Sequence, residues 1–304
     1  SILRQKIRCL RRLNMERGTI DMNNRVSKIA GEIVLKIIIW VFALIVIAFV
    51  SFPLLWMALS SLKPSVELFK SPPAFFPQRP SLTWYKQAFS TSTVVRYFLN
   101  SFIIAAFTMI ADIILATFGA YSLARFQYRG RKLIIVAVLS AYCIPPIMLM
   151  NPLYRIISAM KLNSSYLGVI IGHITVTFPF CIWILISFFK KIPKEIEEAA
   201  FVDGATVFTT FYRIVLPLCI PGVLSIGIMA FILSWNEYLL SSVLVSSDTM
   251  KTLTVGLANY ISSTEIDWGT IMALGTTTTI PIVVMFSAIQ KYFVEGLTAG
   301  AVKG

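Results

Sequence analysis

Residues 37–59 form an unbroken run without a single charged side chain. Nothing else in the sequence constrains the fold so tightly. About 20 apolar residues of helix cross the hydrocarbon core of a bilayer, which is roughly 30 Å thick. Lipid offers no hydrogen-bond partner to backbone N–H and C=O groups, so a run of this kind must be helical. Five further apolar segments follow, and the expected spans are 33–59, 97–123, 133–149, 166–189, 216–239 and 270–293. The first is too long for a signal-peptide core and ends in no small-residue cleavage site, so it reads as an uncleaved span. Composition agrees: 57% of residues are hydrophobic and 13% charged, where a soluble domain carries about 25% charged residues. The expected class is an all-α integral membrane protein with six transmembrane helices.

A net charge of +13 invites a nucleic-acid reading, since basic chains often bind phosphate. The positions of the charges exclude it. They lie between the apolar runs, where lysine and arginine orient a membrane protein. With a cytoplasmic N-terminus, 19 of the 27 basic residues fall on the inner side and 8 on the outer. Both termini are then cytoplasmic. The expected organisation is a basic tail over 1–32 (amphipathic around 7–13), a six-helix membrane domain over 33–294 and a small, glycine-rich tail over 295–304. Cys9, Cys143, Cys181 and Cys219 form no C-x-x-C pair, and they read as small buried hydrophobes. The outer connection 63–96 holds five prolines and should be irregular before a short helix near 84–89. Residues 241–268 form a second long outer connection.

One inner connection, 190–218, is too polar to span and too patterned to be a plain loop. Pro193 suits the first turn of a helix. Glu195, Glu197 and Glu198 lie near its positive N-terminal end. Gly204 can terminate it in a left-handed conformation. Thr206 can cap a second short helix through Arg213, and Pro217 opens the fifth span. Ala199 and Ala200 permit close approach, so the element reads as a rigid helix–turn–helix made for docking. An interfacial amphipathic helix is the plainer alternative, but such helices carry lysine and arginine on the polar face. This one carries acids.

Glu198, Ala199, Ala200, Gly204, Ile214, Leu216 and Pro217, at these spacings, match the EAA loop of binding-protein-dependent ABC importer permeases. The match covers the segment 190–217, with Asp203 beside Gly204. The rest of the chain after residue 33 resembles the carbohydrate branch of that family, the MalG-type subunits. The matching stretches are 97–101, 120–125 with 129–132, Trp235-Asn236-Glu237-Tyr238, and 296–304. The resemblance implies a MetI-like permease fold with a cytoplasmic coupling helix between the fourth and fifth spans. It implies ATPase coupling through Glu198, Ala199, Ala200, Asp203, Gly204, Ile214, Leu216 and Pro217. It further implies a carbohydrate substrate, a second homologous permease subunit, two ATP-binding subunits and an extracytoplasmic solute-binding protein. The setting would be the inner membrane of a bacterium. No G-x-x-x-x-G-K-[ST] sequence occurs, so the chain itself is no ATPase. No cofactor is expected in it, and ATP and Mg would be bound by partner subunits.

Polar residues inside spans are costly and call for a role. Asn236 and Glu237 fit either a gate on the substrate path or a helix end meeting water. Tyr142 and Trp183 (with Phe178) could stack on a sugar or simply pack. Thr276, first of four consecutive threonines, could line the path or bond its own helix. Asp112 is expected to pair with a basic or hydroxyl group on a neighbouring helix, and His173 to be a hydrogen-bonded packing residue. A secondary transporter using Asp112, His173 or Glu237 as an ion site is the rival function, but the inverted repeats common in such folds are not found. A membrane-embedded enzyme would need a nucleophile–base or metal constellation, and one histidine with no clustered carboxylates in the spans supplies none. Outer basic residues exceed Glu67, Asp248, Glu265 and Asp267, which suits an acidic oligosaccharide or an acidic binding protein.

Overall fold

The computed structural model describes residues 2–258, 260 and 266–301, with side chains for 31–258, 260, 266–287 and 290. Its helices are α1 (Ile2–Ser60), α2 (Ser65–Leu68), α3 (Thr83–Phe89), α4 (Ser92–Arg125), α5 (Arg131–Tyr142), α6 (Pro146–Ala159) and α7 (Tyr166–Lys191). They continue as α8 (Lys194–Val202), α9 (Val207–Thr210), α10 (Leu216–Trp235), α11 (Leu239–Leu244), α12 (Leu253–Ala258) and α13 (Trp268–Ala301). A π-helical turn, Phe211–Val215, joins α9 to α10. The chain divides into two units, Ser1–Ala58 and Leu59–Gly304. The first is α1 as far as Ala58, within which Phe52 stacks on Trp56 one turn later at 6.1 Å.

Among the described residues, five helices are long and apolar enough to cross a membrane: Gly31–Ser60, Ser92–Arg125, Tyr166–Lys191, Val207–Trp235 and Trp268–Ser287. The third expected span, 133–149, is not one straight helix. It is the pair α5 and α6, bent by 105°. Pro145 and Pro146 lack the N–H groups that would continue the ladder, and a residue before proline disfavours helical torsions. The chain turns there and restarts with Pro146 in the first turn of α6.

Other ends also differ from expectation. Helix α1 runs without a break from Ile2, and α13 continues to Ala301 rather than ending near 293. The fifth span stops at Trp235, where Asn236 forms the C-terminal cap, not at 239. The second short helix of the inner connection is no separate element: α9, the π-helical turn and α10 make one helix, Val207–Trp235. Helix α3 falls where a short helix was expected. Glu265 and Val302–Gly304 lie outside the described residues.

In the second unit, α4, α7 and α10 pack most extensively on one another. Ala105, Ala116, Ala120 and Ala230 are fully buried between them, and small residues let backbones approach closely in membrane bundles. One cluster gathers Ala116, Ala120, Leu185, Phe189, Val215 and Ile226. Another sets Ile157 of α6 and Val169 of α7 against Leu240 and Leu244 of α11. Trp235 packs edge-on to Phe98 at 5.3 Å and donates from Nε1 to the Thr278 carbonyl of α13 at 3.1 Å.

Helix α7 begins at a cap in which the Ser165 hydroxyl accepts from the Gly168 N–H at 3.1 Å. A Cβ at Gly168 would lie 2.3 Å from the Leu162 carbonyl oxygen, and backbone has little room to yield. Gly168→Ala should therefore destabilise the fold by about 1–3 kcal/mol, read as a lowered Tm in detergent.

Candidate functional site

The connection between α7 and α10 builds its geometry from residues close in sequence. Lys190 and Lys191 close the last turn of α7, where cations are favoured by the helix dipole. Pro193 is the N-cap of α8, one place earlier than its expected helical position, and Glu195 and Glu197 sit in the first turn. Asp203 is the C-cap. Gly204 follows at φ +84°, a left-handed torsion that glycine adopts without steric cost. The Thr206 hydroxyl accepts from the Thr209 N–H at 3.3 Å, capping α9 as the sequence suggests.

The faces of α8 differ sharply. Glu198 and Ala199 are exposed, while Glu197 and Ala200 are buried. Along the same surface Phe201, Val202 and Phe208 are exposed, Val202 by 87%. Ile214 lies in the π-helical turn, and Leu216 and Pro217 open α10. All eight residues of the motif thus belong to one continuous surface element and its root.

Glu197 was not singled out from the sequence, and it is the best-held residue of the segment. Its Oε1 meets Arg125 Nε at 2.5 Å, with the two side chains only 8% and 7% exposed. Its Oε2 accepts from the Tyr121 hydroxyl at 3.0 Å. Arg125 Nη2 also donates to the Ile192 carbonyl, at the end of α7, at 2.8 Å. Tyr121 and Arg125 stand one turn apart on α4. The ring of Tyr121 lies 4.6 Å from that of Phe211 and 5.6 Å from that of Phe189. Removing one partner of a buried pair leaves an uncompensated charge and costs about 3–5 kcal/mol. The available signal was spacing alone: Glu197 falls three residues before Ala200, on the same helix face.

The second polar cluster lies where α10 ends. His173 of α7 is fully buried, with Nδ1 at 2.7 Å from Ser234 Oγ and Nε2 at 3.0 Å from Ser241 Oγ. Glu237 Oε2 stands 3.2 Å from His173 Nε2. The same carboxylate accepts from the Leu240 and Ser241 N–H groups at 2.7 and 2.8 Å, satisfying the first turn of α11. Burial acts to raise the Glu237 carboxyl, but His173 and these two amides outweigh it and hold it below the usual carboxylate range. Asn236 is exposed and donates to the Ile232 carbonyl of its own helix at 2.9 Å.

The remaining candidates have separate surroundings. Tyr142 is half exposed beside Phe180, with centroids 5.7 Å apart. Trp183 is partly exposed one turn further along α7. Thr276 donates to the Met272 carbonyl at 2.8 Å, and Thr277, Thr278 and Thr279 bond their own helix in the same way. Asp112, fully buried on α4, accepts from Thr177 of α7 at 2.5 Å. No group of three or more His, Cys, Asp or Glu side chains among the described residues could hold a metal ion.

At the opposite end of α4, Asn100 Nδ2 donates to the carbonyls of Thr249 and Lys251 at 3.0 and 2.9 Å. Its Oδ1 accepts from the Tyr166 hydroxyl at 2.7 Å. Ser101 Oγ accepts from the Leu253 N–H at 2.7 Å. The Asp248 carboxylate, 2.5 Å from Lys251, holds its ammonium above the ordinary lysine range. These bonds fix the segment between α11 and α12 to the N-terminal third of α4.

Asparagine in place of Asp112 keeps a polar partner for Thr177. Asp112→Asn should therefore change uptake little, while Asp112→Leu should lower stability by about 1 kcal/mol through the lost cross-helix bond, the Thr177 hydroxyl keeping the His173 carbonyl of its own helix at 3.0 Å. Loss of uptake in Asp112→Asn with normal assembly would place this residue in transport itself.

Residues 113–298 match the family described as binding-protein-dependent transport system inner membrane component. A sulfoquinovosyl glycerol transport system permease protein of Agrobacterium fabrum is 35% identical over 253 residues, covering 83% of this chain and 89% of its own. The trehalose/maltose transport system permease protein of Thermococcus litoralis is 33% identical over 277 residues, covering 90% and 99%. A crystal structure of a bacterial ABC transporter involved in importing the acidic polysaccharide alginate superposes with a TM-score of 0.74 at 20% identity, over 86% of this chain and 96% of that one. With its apolar helices and their MetI-like arrangement, the chain belongs to the binding-protein-dependent family of inner-membrane components, as the permease part of an ABC importer whose ATP hydrolysis resides in other subunits.

Proposed function

We propose that this chain is one of two related permease subunits of an ATP-driven importer of a carbohydrate. The substrate class rests on its relatives, which include permeases of a sulfoquinovosyl glycerol system and a trehalose/maltose system. A solute-binding protein delivers the sugar at the outer face, and two ATP-binding subunits drive the cycle from the cytoplasm. Both termini are cytoplasmic, which places α8 on the inner surface, in line with the distribution of lysine and arginine. The residues 1–32 and 295–304 are then inner segments flanking the membrane domain.

The observation that carries the mechanism is the division of α8 into two faces. Glu197 and Ala200 anchor it to the bundle, while Glu198, Ala199, Phe201 and Val202 face away from it. An exposed apolar patch rimmed by charge marks a protein-binding site. On this reading α8 is the coupling helix, seated in an ATP-binding subunit, with Asp203 and Gly204 setting its exit. Ile214, Leu216 and Pro217 root it in α10. Closure of the ATP-binding subunits moves α8, and the permease pair passes from inward- to outward-facing. Asn236, Glu237, Tyr142, Trp183 and Thr276 are retained as candidates for contact with the sugar or its gate. No cofactor is assigned to this chain; ATP and Mg belong to the partners.

Two variants test the docking. Glu198→Arg reverses a charge on the exposed face. Gly204→Val forces a β-branched residue into a left-handed torsion, at about 1–3 kcal/mol of local strain. Both should insert in the membrane yet lose transport-coupled ATP hydrolysis in vesicles. Normal coupling in both would remove α8 from the docking role. Co-purification from native membranes, followed by identification of bound subunits and ligand, tests the partners and the sugar.

A further inference from the structure

The two polar clusters that α4 makes, at Arg125 and at Asn100, have so far only anchored the segments they hold. Their placement gives them a further role. At its inner end α4 holds α8 by both oxygens of the Glu197 carboxylate, through Arg125 and Tyr121. Arg125 also grips the Ile192 carbonyl, so both the lead-in to α8 and its first turn are fixed to the same helix. At its outer end α4 holds the segment between α11 and α12 through Asn100 and Ser101. From Asn100 to Arg125 the rise of an α-helix amounts to about 38 Å, more than the hydrocarbon thickness.

Proline content distinguishes α4 from the other long helices. Prolines stand inside α1, α7, α10 and α13, at Pro53, Pro179, Pro221 and Pro281, and the bent pair has Pro145, Pro146 and Pro152. Each removes a backbone hydrogen bond and invites a kink. Among the five helices long enough to span, α4 alone contains none. It is 34 residues long and is cross-pinned at mid-length by Asp112 to Thr177.

We propose that α4 is a push-rod: it carries the displacement of α8 directly to the segment 249–253, on the face at which the solute-binding protein delivers the sugar. The proposal rests on the reading of α8 as the coupling helix. Because coupling free energy is reciprocal, the same rod carries the arrival of loaded binding protein inward to the ATP-binding subunits. Arg125, Tyr121, Glu197 and Asn100 are positioning residues in this scheme, since none touches ATP or sugar. The inner joint resists both push and pull, because one carboxylate oxygen of Glu197 accepts from Tyr121 and the other is ion-paired with Arg125, both on α4.

The test uses the whole complex in lipid vesicles and reads the ratio of ATPase rate with loaded binding protein to the basal rate. Glu197→Gln and Asn100→Ala, 38 Å or so apart, should each lower that ratio on the order of tenfold. Ser101→Ala is a milder second break at the outer end. In a series linkage either break removes the whole transmission, so the double variant should be no worse than the more severe single. The charge-exchanged pair Arg125→Glu with Glu197→Arg should recover part of the ratio lost in either alone.

Several results would overturn the rod. Sites this far apart ordinarily act independently, so a double variant whose loss equals the product of the singles means two separate roles. An unchanged ratio in assembled single variants with lowered Tm means the bonds only stabilise the fold. Loss of the ATP-binding subunits on purification of Glu197→Gln would assign the pair to docking instead. Failure of the docking reading itself would show elsewhere, as normal coupling in Glu198→Arg and Gly204→Val.

Discussion

Hydrocarbon accepts no hydrogen bonds, and that single condition shapes both the fold and its joints. It forces the apolar runs into helices, and it forces every polar side chain within them to find a protein partner or carry a large cost. The threonines of α13 turn back on their own helix, while the charged and imidazole groups find theirs on other elements. Asp112 reaches Thr177, His173 reaches Ser234, Ser241 and Glu237, and Arg125 reaches Glu197. Such groups in a bundle of this kind are therefore a map of its cross-links. Apolar packing among α4, α7 and α10 supplies the mass of the contact, and the polar pairs fix which surfaces meet.

Six apolar segments and their helical nature were legible in the sequence because length and hydropathy decide them without tertiary context. The inner connection was legible as well, because proline, glycine and threonine each act locally: Gly204 takes its left-handed torsion and Thr206 caps α9. The break in the third segment was visible as Pro145-Pro146, but the 105° turn depends on what the two halves pack against. The run of α9 into α10 was hidden for a related reason. Thr206 signals a helix start, while no residue signals that a π-helical turn will carry the helix past Pro217.

Which glutamate anchors and which faces outward could not be read from spacing. Glu195, Glu197 and Glu198 are chemically alike, and the choice is made by Tyr121 and Arg125, more than 70 residues earlier in the chain. The same holds for Glu237. Its place beside Trp235 and Asn236 suggested a helix end or a gate, and its partners turn out to be His173 and the first amides of α11. The ion-gradient alternative, which needed Asp112, His173 or Glu237 as an ion site, gives way to membership of the binding-protein-dependent family.

A buried ion pair is weak support for stability as such, since apolar residues of the same volume often do as well. What it supplies that packing does not is direction. Apolar faces slide past one another at little cost, because one set of dispersion contacts replaces another. Glu197 cannot slide along α4 without breaking its bonds to Arg125 and Tyr121, and each broken bond leaves a desolvated polar group behind. In the proposed role of α8, a helix moved repeatedly by a motor and returning its load in the opposite sense needs an attachment of this kind. The sequence places such an attachment where α8 meets a proline-free helix, and the two long helices packed most extensively on that helix, α7 and α10, both carry proline.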